Sequence, residues 1–215
     1  SVMLPRVSGL LSSGDYKAVN KMHEFSFLIY NLVIFPIIAG LLVVNKDFVS
    51  FFLGKDFQAA NIAIAIMVFR MFFIGWTNIM GIQILIPHNK HREFMLSTTI
   101  PAVVSVGLNL LLIPPFGFVG ASIVSVLTEA LVWFIQLYFS LPYLKEVPIL
   151  ESMAKIVCAS AMMYGLLLSA KPFLHFPPTL NVLVYAVLGG LIYLLAILVL
   201  KVVDVKELKE IIGKN

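Results

Sequence analysis

Six long apolar runs constrain this chain more than any other feature of its sequence. A helix needs about 20 consecutive apolar residues to cross the roughly 30 Å hydrocarbon core of a membrane. The runs are Phe25–Val44, Phe57–Ile86, Phe94–Ile113, Phe118–Leu141, Ile156–Ala170 and Thr179–Leu200. Because they are continuous rather than alternating, they predict helices and not the strands of a transmembrane barrel. The expected fold class is all-α, a polytopic membrane helical bundle of six transmembrane helices.

The boundaries of the runs support this interpretation. Pro and Gly residues mark most of the connectors, for example Pro114–Gly117 between the third and fourth runs. The fifth run is short, and it reaches spanning length by extending back through Ser152 if Lys155 snorkels to the interface.

The composition excludes the other broad classes of protein. Apolar residues make up 60% of the 215 residues and charged residues 12%, against roughly 45–50% and about 25% in soluble domains. Intrinsic disorder needs low hydrophobicity and high charge, and this chain has neither. The single cysteine, Cys158, excludes a disulfide scaffold.

Sequence motifs of catalysis are missing as well. The chain has no P-loop, no Gly-x-Ser-x-Gly and no His-Glu-x-x-His. His88 and His91 lie three residues apart in one short basic loop, which is too few ligands for a metal site. We therefore expect neither an enzyme nor a cofactor.

The distribution of Lys and Arg predicts the orientation. With six spans both ends share one side of the membrane, and that side holds eleven of the 15 Lys and Arg residues, against three on the other side and Arg70 inside a span. The positive-inside rule then places both ends in the cytoplasm of a cell-membrane (inner-membrane) protein. The net charge of +4 is thus a consequence of topology and indicates no nucleic-acid partner.

The chain divides into four segments by composition. Residues 1–24 form the cytoplasmic end of a helix and an interfacial segment, and residues 25–141 hold four transmembrane helices. Residues 142–200 hold two more, and residues 201–215 form a cytoplasmic amphipathic tail. The chain begins with Ser1 and shows no signal peptide, so we expect a fragment of a longer membrane protein.

Two charged residues lie deep within the spans. Arg70 follows Phe57 by 13 residues and Glu129 follows Phe118 by 11, which puts both about 16–20 Å from the outer ends of their helices. Each costs roughly 2.5–3.5 kcal/mol to insert, and such residues usually face a bundle interior or a wet cavity. A direct ion pair is possible if the second and fourth spans are neighbours. The pair either fixes helix packing or lines a polar lumen that contacts a charged substrate or ion.

Further polar side chains occur in the same spans. Asn78 and Gln83 follow Arg70 along the second span, and Asn109 lies in the third. Each is a candidate for the lumen, and each is also explained by a hydrogen bond between helices.

A series of short motifs in order resembles a known family. They lie in Met3–Ser8, Phe35–Leu41, Phe52–Ala60, Gly81–Ile86 and Asn109–Glu129. Together they resemble the C-terminal part of bacterial polysaccharide flippases, the Wzx-type branch of the multidrug/oligosaccharidyl-lipid/polysaccharide exporter superfamily. The resemblance covers about two-thirds of the chain, from Met3 to Gln136.

The resemblance implies a fold and a function. The chain would form helices nine to fourteen of a fourteen-helix flippase fold. These helices would make up the C-terminal lobe of that fold and an extra helix pair. The family moves undecaprenyl-pyrophosphate-linked oligosaccharide repeat units across the cytoplasmic membrane by alternating access, powered by an ion gradient. The implied partners are that lipid-linked oligosaccharide, membrane lipids and the missing N-terminal lobe. Arg70 would attract the pyrophosphate, and Glu129 would balance Arg70 or carry a coupling proton.

Other functions stay open on the sequence. A multidrug exporter or a lipid II exporter of the same superfamily shares these features. A membrane scaffold without transport would use Arg70 and Glu129 as a closed packing pair. An intramembrane enzyme needs a second carboxylate or His beside a cavity, and the sequence offers none in the spans.

Overall fold

The computed structural model describes residues 3–173 and 176–202. The helices are α1 (Met3–Ser12), α2 (Tyr16–Phe52), α3 (Ala60–Asn78), α4 (His91–Leu144), α5 (Ile149–Ala170) and α6 (Pro178–Val199). A π-helical segment, Ile79–Leu85, continues α3, and short 3-10 turns occupy Lys55–Phe57 and Lys171–Phe173. No strand occurs in the described residues, which confirms the all-α prediction. The predicted amphipathic tail lies mostly in residues 203–215, outside the described residues.

Five helical stretches are long and apolar enough to cross a membrane by length and composition. They are Tyr16–Phe52, Ala60–Leu85, His91–Leu144, Ile149–Phe173 and Pro178–Val199. The prediction of six spans differs from this number only at α4. That helix has 54 residues, or about 81 Å at 1.5 Å per residue, far more than one crossing needs.

A break at Gly117 resolves the difference. Its backbone is non-helical, with φ 55° and ψ −133°, which divides α4 into α4a (residues 91–116) and α4b (residues 118–144). A Cβ on Gly120 would lie 2.1 Å from the carbonyl oxygen of Leu112. Since Leu112 precedes the break and Gly120 follows it, the chain turns back there and α4 is a helical hairpin. The two arms correspond to the third and fourth predicted spans.

The described residues divide into two compact units. Unit 1 comprises residues 3–30 and 59–149, and unit 2 comprises residues 31–58, 150–173 and 176–202. Helix α2 therefore begins in unit 1 and ends in unit 2.

An aromatic cluster joins three helices in unit 1. The ring of Trp76 on α3 lies 4.7 Å from that of Phe27 on α2 and 6.1 Å from that of Trp133 on α4b. Phe73, also on α3, lies 5.9 Å from Trp133. Such ring pairs add to the apolar burial that packs helices together. The cluster thus fixes α3 against α4b.

Unit 2 packs the second part of α2 with α5 and α6. Tyr193 on α6 donates a 2.8 Å hydrogen bond to the carbonyl of Leu32, and Lys171 after α5 donates a 3.0 Å bond to that of Val43. An apolar cavity of about 400 Å³ lies among these helices. Gly189 of α6 lines it and approaches Leu167 of α5 closely, since a Cβ there would be 3.2 Å from Leu167 Cδ1.

Candidate functional site

The two charged residues of the spans form an ion pair in unit 1. Arg70 Nη2 donates a 2.8 Å hydrogen bond to Glu129 Oε1. Arg70 precedes Phe73 by three residues and Glu129 precedes Trp133 by four, so each lies one helical turn from an aromatic contact between α3 and α4b. The aromatic cluster therefore sets the distance between the two charges. The direct ion pair that their similar depth allows is present.

The pair is not sealed between the helices. The Arg70 side chain is 36% exposed and the Glu129 side chain 20% exposed. Both line a cavity of about 240 Å³. The remaining lining residues come from the two arms of the hairpin and are Ser105, Asn109, Ala121, Val124, Ser125 and Thr128. The third and fourth spans thus contribute a polar wall opposite Arg70.

The polar groups of this wall are held by their own helices. Asn109 Nδ2 donates to the carbonyl of Ser105 at 2.8 Å, and Thr128 Oγ1 donates to that of Val124 at 2.8 Å. Ser105 Oγ donates to the carbonyl of Ala102 at 2.8 Å. These bonds use the hydroxyl donors of Ser105 and Thr128 and one of the two amide N–H donors of Asn109. The cavity therefore combines the Arg70–Glu129 pair with the second Asn109 N–H and several neutral oxygens.

The guanidinium of Arg70 has capacity left beyond Glu129. Its Nε is buried and has no hydrogen-bond partner among the described residues. An Arg side chain carries five N–H donors in a planar fork that matches carboxylate and phosphate oxygens. The arrangement is suited to an anionic oxygen group that enters the cavity and competes with Glu129.

Two of the residues that the sequence suggested for the site, Asn78 and Gln83, lie outside the Arg70 cavity. Asn78 is exposed and its Nδ2 donates to the carbonyl of Ile74 at 3.0 Å. Gln83 lies in the π-helical segment, where its Oε1 accepts a 2.7 Å hydrogen bond from Ser26 Oγ of α2. Neither lines the Arg70 cavity. Of the five candidates the structure brings Arg70, Glu129 and Asn109 together.

A buried histidine beside Gln83 was not among the sequence candidates. His23 of α2 is fully buried, and its Nε2 lies 3.2 Å from the carbonyl oxygen of Gln83. Its sequence signal is weak, since it consists only of Asn20 and Ser26, polar residues three positions before and after it on the same helix face. Among the described residues no group of three or more His, Cys, Asp or Glu is placed to hold a metal ion.

The apolar helices and the charged cavity define a multi-pass membrane protein with a polar site inside its helical bundle. The chain belongs to the family described as lipid II flippase MurJ, whose family model matches residues 1–201. This family lies in the superfamily that the sequence motifs resemble, and the Wzx-type branch in particular is not confirmed by the match.

A curated relative is known from an archaeon. The chain is 25% identical over 218 residues to an uncharacterized membrane protein of Methanocaldococcus jannaschii. The similarity covers 100% of this chain and 42% of the relative, so the chain spans less than half the length of that protein. No solved structure matches the chain.

Proposed function

We propose that this chain is part of a flippase that carries a lipid-linked precursor with a pyrophosphate group across the cell membrane. The observation that carries the proposal is the Arg70 cavity, in which a partly exposed arginine and its counterion Glu129 lie inside the spans of a lipid II flippase family member. Transport requires no bond to be made or broken, so we propose no enzymatic step. The remaining part of the flippase, an N-terminal lobe, is the proposed partner of this chain.

The charge of the substrate explains why an arginine is needed at this depth. A pyrophosphate loses its hydration when it enters the apolar interior of a bundle, and an unpaired ion there is very costly. Arg70 replaces part of that hydration, because a guanidinium pairs with two phosphate oxygens at once. The second N–H of the Asn109 amide is a further donor to the phosphate, beside the guanidinium.

Glu129 is the proposed counterion of Arg70 before and after transport. Its Oε1 lies 2.8 Å from Arg70 Nη2. An incoming phosphate competes with it, and departure of the phosphate restores the pair. Because Arg70 and Glu129 already cancel, the phosphate adds net negative charge to the cavity, and proton uptake by the displaced carboxylate would offset part of it. Protonation of Glu129 when it is displaced is one route for coupling to an ion gradient.

Two substrates fit the same chemistry. The sequence motifs indicate an undecaprenyl-pyrophosphate-linked oligosaccharide, whereas the family description favours lipid II. Both carry a pyrophosphate, so Arg70 serves either. The two lipids differ in their sugar and peptide parts. Both lipids are therefore included in the test.

The test is a translocation assay with the full-length protein in proteoliposomes. A fluorescent lipid II and a fluorescent undecaprenyl-pyrophosphate oligosaccharide are followed separately from one leaflet to the other. We expect Arg70→Gln to slow translocation at least about tenfold, since a tenfold change corresponds to 1.4 kcal/mol and hydrogen bonds to charged groups contribute about that much or more.

The matched control is Arg92→Gln, which removes an exposed arginine at the start of α4a. We expect it to leave translocation unchanged. Normal rates from both Arg70→Gln and Glu129→Gln would contradict the proposed role of the pair and show that it only fixes packing. No translocation of either lipid by the wild type would contradict the proposed function and favour multidrug export or a membrane scaffold without transport.

A further inference from the structure

A second polar cavity lies in unit 1 and shares no lining residue with the Arg70 cavity. Its volume is about 580 Å³, within the roughly 300–1,000 Å³ of small-molecule sites. Its walls are the start of α2, the turn after the π-helical segment and the end of α4b. The polar and aromatic side chains that line it include Tyr16, Asn20, His88, Tyr143, Lys145 and Glu146.

The cavity lies where the spans end. His88 follows the last residue of the second predicted span, Ile86, by two residues, and Glu146 follows the last residue of the fourth, Leu141, by five. At 1.5 Å per residue these side chains start about 3–8 Å beyond the hydrocarbon edge. That is the depth of the phospholipid headgroups. The molecules in contact with this cavity in a membrane are therefore headgroups.

The cavity carries one side chain of each charge. Lys145 and Glu146 are both exposed, and neither takes part in an ion pair within the described part of the chain. Asn20 Nδ2 donates a 3.1 Å hydrogen bond to Glu146 Oε2, which leaves Oε1 free to accept. Because the two charges cancel, an anion gains no net attraction here, whereas a zwitterion can pair with both charges.

His88 adds a neutral acceptor to the same cavity. Its Nδ1 lies 2.7 Å from the carbonyl oxygen of Ile84. A carbonyl oxygen only accepts, so Nδ1 of the neutral ring carries the proton and Nε2 carries the lone pair. The side chain is half-buried, and its ring packs on Tyr143 with 3.9 Å between ring centroids. An ammonium group with N–H bonds thus finds two acceptors, His88 Nε2 and the Glu146 carboxylate, and an aromatic ring.

We propose that this cavity binds the headgroup of an aminophospholipid, in which a primary ammonium is joined to a phosphate. The ammonium donates to Glu146 and to His88 Nε2, and the phosphate pairs with Lys145. Phosphatidylcholine carries the same two charges, but its quaternary ammonium has no N–H to donate. Phosphatidylglycerol offers a phosphate to Lys145 and no cation to Glu146. The inference does not rest on the transport proposal, since it concerns equilibrium binding of a lipid at a separate cavity.

Two variants separate the two halves of the headgroup. Glu146→Gln keeps a side-chain oxygen that can accept from Asn20 and removes the charge that binds the ammonium. Lys145→Gln removes the partner of the phosphate. Glu151→Gln is the matched control, because Glu151 is an exposed carboxylate at the start of α5 and lines no part of this cavity.

The measurement is native mass spectrometry of the full-length protein in detergent. Phosphatidylethanolamine, phosphatidylcholine and phosphatidylglycerol are titrated separately, and the affinity for the first bound lipid is compared. We expect the wild type to bind phosphatidylethanolamine at least about tenfold more tightly than phosphatidylcholine, the effect of a hydrogen bond to a charged group.

The variants should change this preference in different ways. Glu146→Gln should weaken binding of phosphatidylethanolamine about tenfold and leave phosphatidylcholine unchanged. Lys145→Gln should weaken both lipids, since both carry the phosphate. Glu151→Gln should bind as the wild type does. Arg70→Gln should also keep the wild-type preference, which separates failure of this inference from failure of the transport proposal.

Four results would overturn the inference. They are equal wild-type affinity for phosphatidylethanolamine and phosphatidylcholine, an unchanged preference in Glu146→Gln, and tighter binding of phosphatidylglycerol, which would indicate an anion site. The fourth is displacement of the lipid by water-soluble glycerophosphoethanolamine at equal concentration, which would indicate a site for a soluble ester. The thermal unfolding midpoint of each variant shows whether it is folded, and the wild-type preference among the three lipids tests the inference without any variant.

Discussion

The pairing of Arg70 with Glu129 is both a packing contact and the centre of the proposed site. A fully buried ion pair gains little because desolvation of both ions offsets their attraction. This pair is 36% and 20% exposed, so part of the desolvation cost is avoided. Partial exposure also leaves Arg70 accessible to a ligand. The same geometry therefore serves stability and binding.

We predict that Glu129→Gln lowers the free energy of unfolding by about 1.5–3 kcal/mol, the range for hydrogen bonds to charged groups. The reason is that Arg70 keeps its charge and loses its charged partner. Adding Arg70→Met to Glu129→Gln should recover part of the loss, because the unpaired charge is then gone. Denaturant unfolding of the full-length protein in detergent measures both. Strictly additive effects of the two substitutions would show that the residues do not interact.

An exposed ion pair provides the comparison for this prediction. Lys155 Nζ donates to Glu151 Oε1 at 2.7 Å, and the Glu151 side chain is 75% exposed. Exposed pairs of this kind are screened by water and salt and contribute little. We therefore expect Glu151→Gln to leave the stability nearly unchanged.

At the scale of elements, the helical hairpin of α4 builds the polar wall of the Arg70 cavity. Gly117 adopts φ 55° at its turn, a conformation that glycine takes without strain. Gly120 lets the second arm pass the carbonyl of Leu112 closely. These two glycines bring Ser105 and Asn109 of one arm next to Ser125 of the other.

We predict that Gly120→Ala destabilises the protein by about 1–3 kcal/mol, the usual cost of overpacking. The added Cβ would lie 2.1 Å from a backbone oxygen, which is fixed by the first arm and cannot rotate away. The matched control is Gly107→Ala on the same hairpin, where a Cβ meets nothing within 4 Å. That change should be neutral or slightly stabilising, since Ala favours a helix interior. Equal unfolding midpoints for the two variants would show that the turn opens easily.

At the scale of the whole molecule, the division into two units does not follow the order of the chain. Helix α2 contributes its first part to unit 1 and its second part to unit 2. The Arg70 cavity lies within unit 1, whereas the apolar cavity lies within unit 2. The cavity that holds the charged pair is thus built by one unit alone.

The topology remains a prediction that labelling can test. In a Cys158→Ser background, Asp56→Cys and His91→Cys place single thiols at exposed positions in two different connectors. We expect a membrane-impermeant maleimide added to intact cells to label position 56 and not position 91, because the positive-inside rule puts the basic loop in the cytoplasm. Permeabilised cells should show both labelled, which controls for accessibility. The reverse pattern in intact cells would invert the proposed orientation.

The sequence by itself determined the class of the fold and the depth of its charges. Run length and apolarity are local properties, so they predicted the helices, and Pro114–Gly117 predicted the break that splits α4. Similar distances from the outer helix ends predicted that Arg70 and Glu129 can meet, because helical rise is constant. The family motifs gave the superfamily, and the match over residues 1–201 placed the chain in one of its families.

Only the tertiary structure decided which polar residues share a cavity. Asn109 lines the Arg70 cavity because the hairpin turn brings α4a beside α4b, whereas Asn78 is exposed outside it and Gln83 lies in a π-helical segment. A cavity between the start of α2 and the end of α4b joins His23, His88 and Glu146, which are far apart along the chain. Such groupings depend on which face of a helix each residue occupies, on the extra residue in the π-helical turn and on close helix contacts at glycines. They join remote parts of the chain, and the hydrophobic pattern alone does not specify which parts meet.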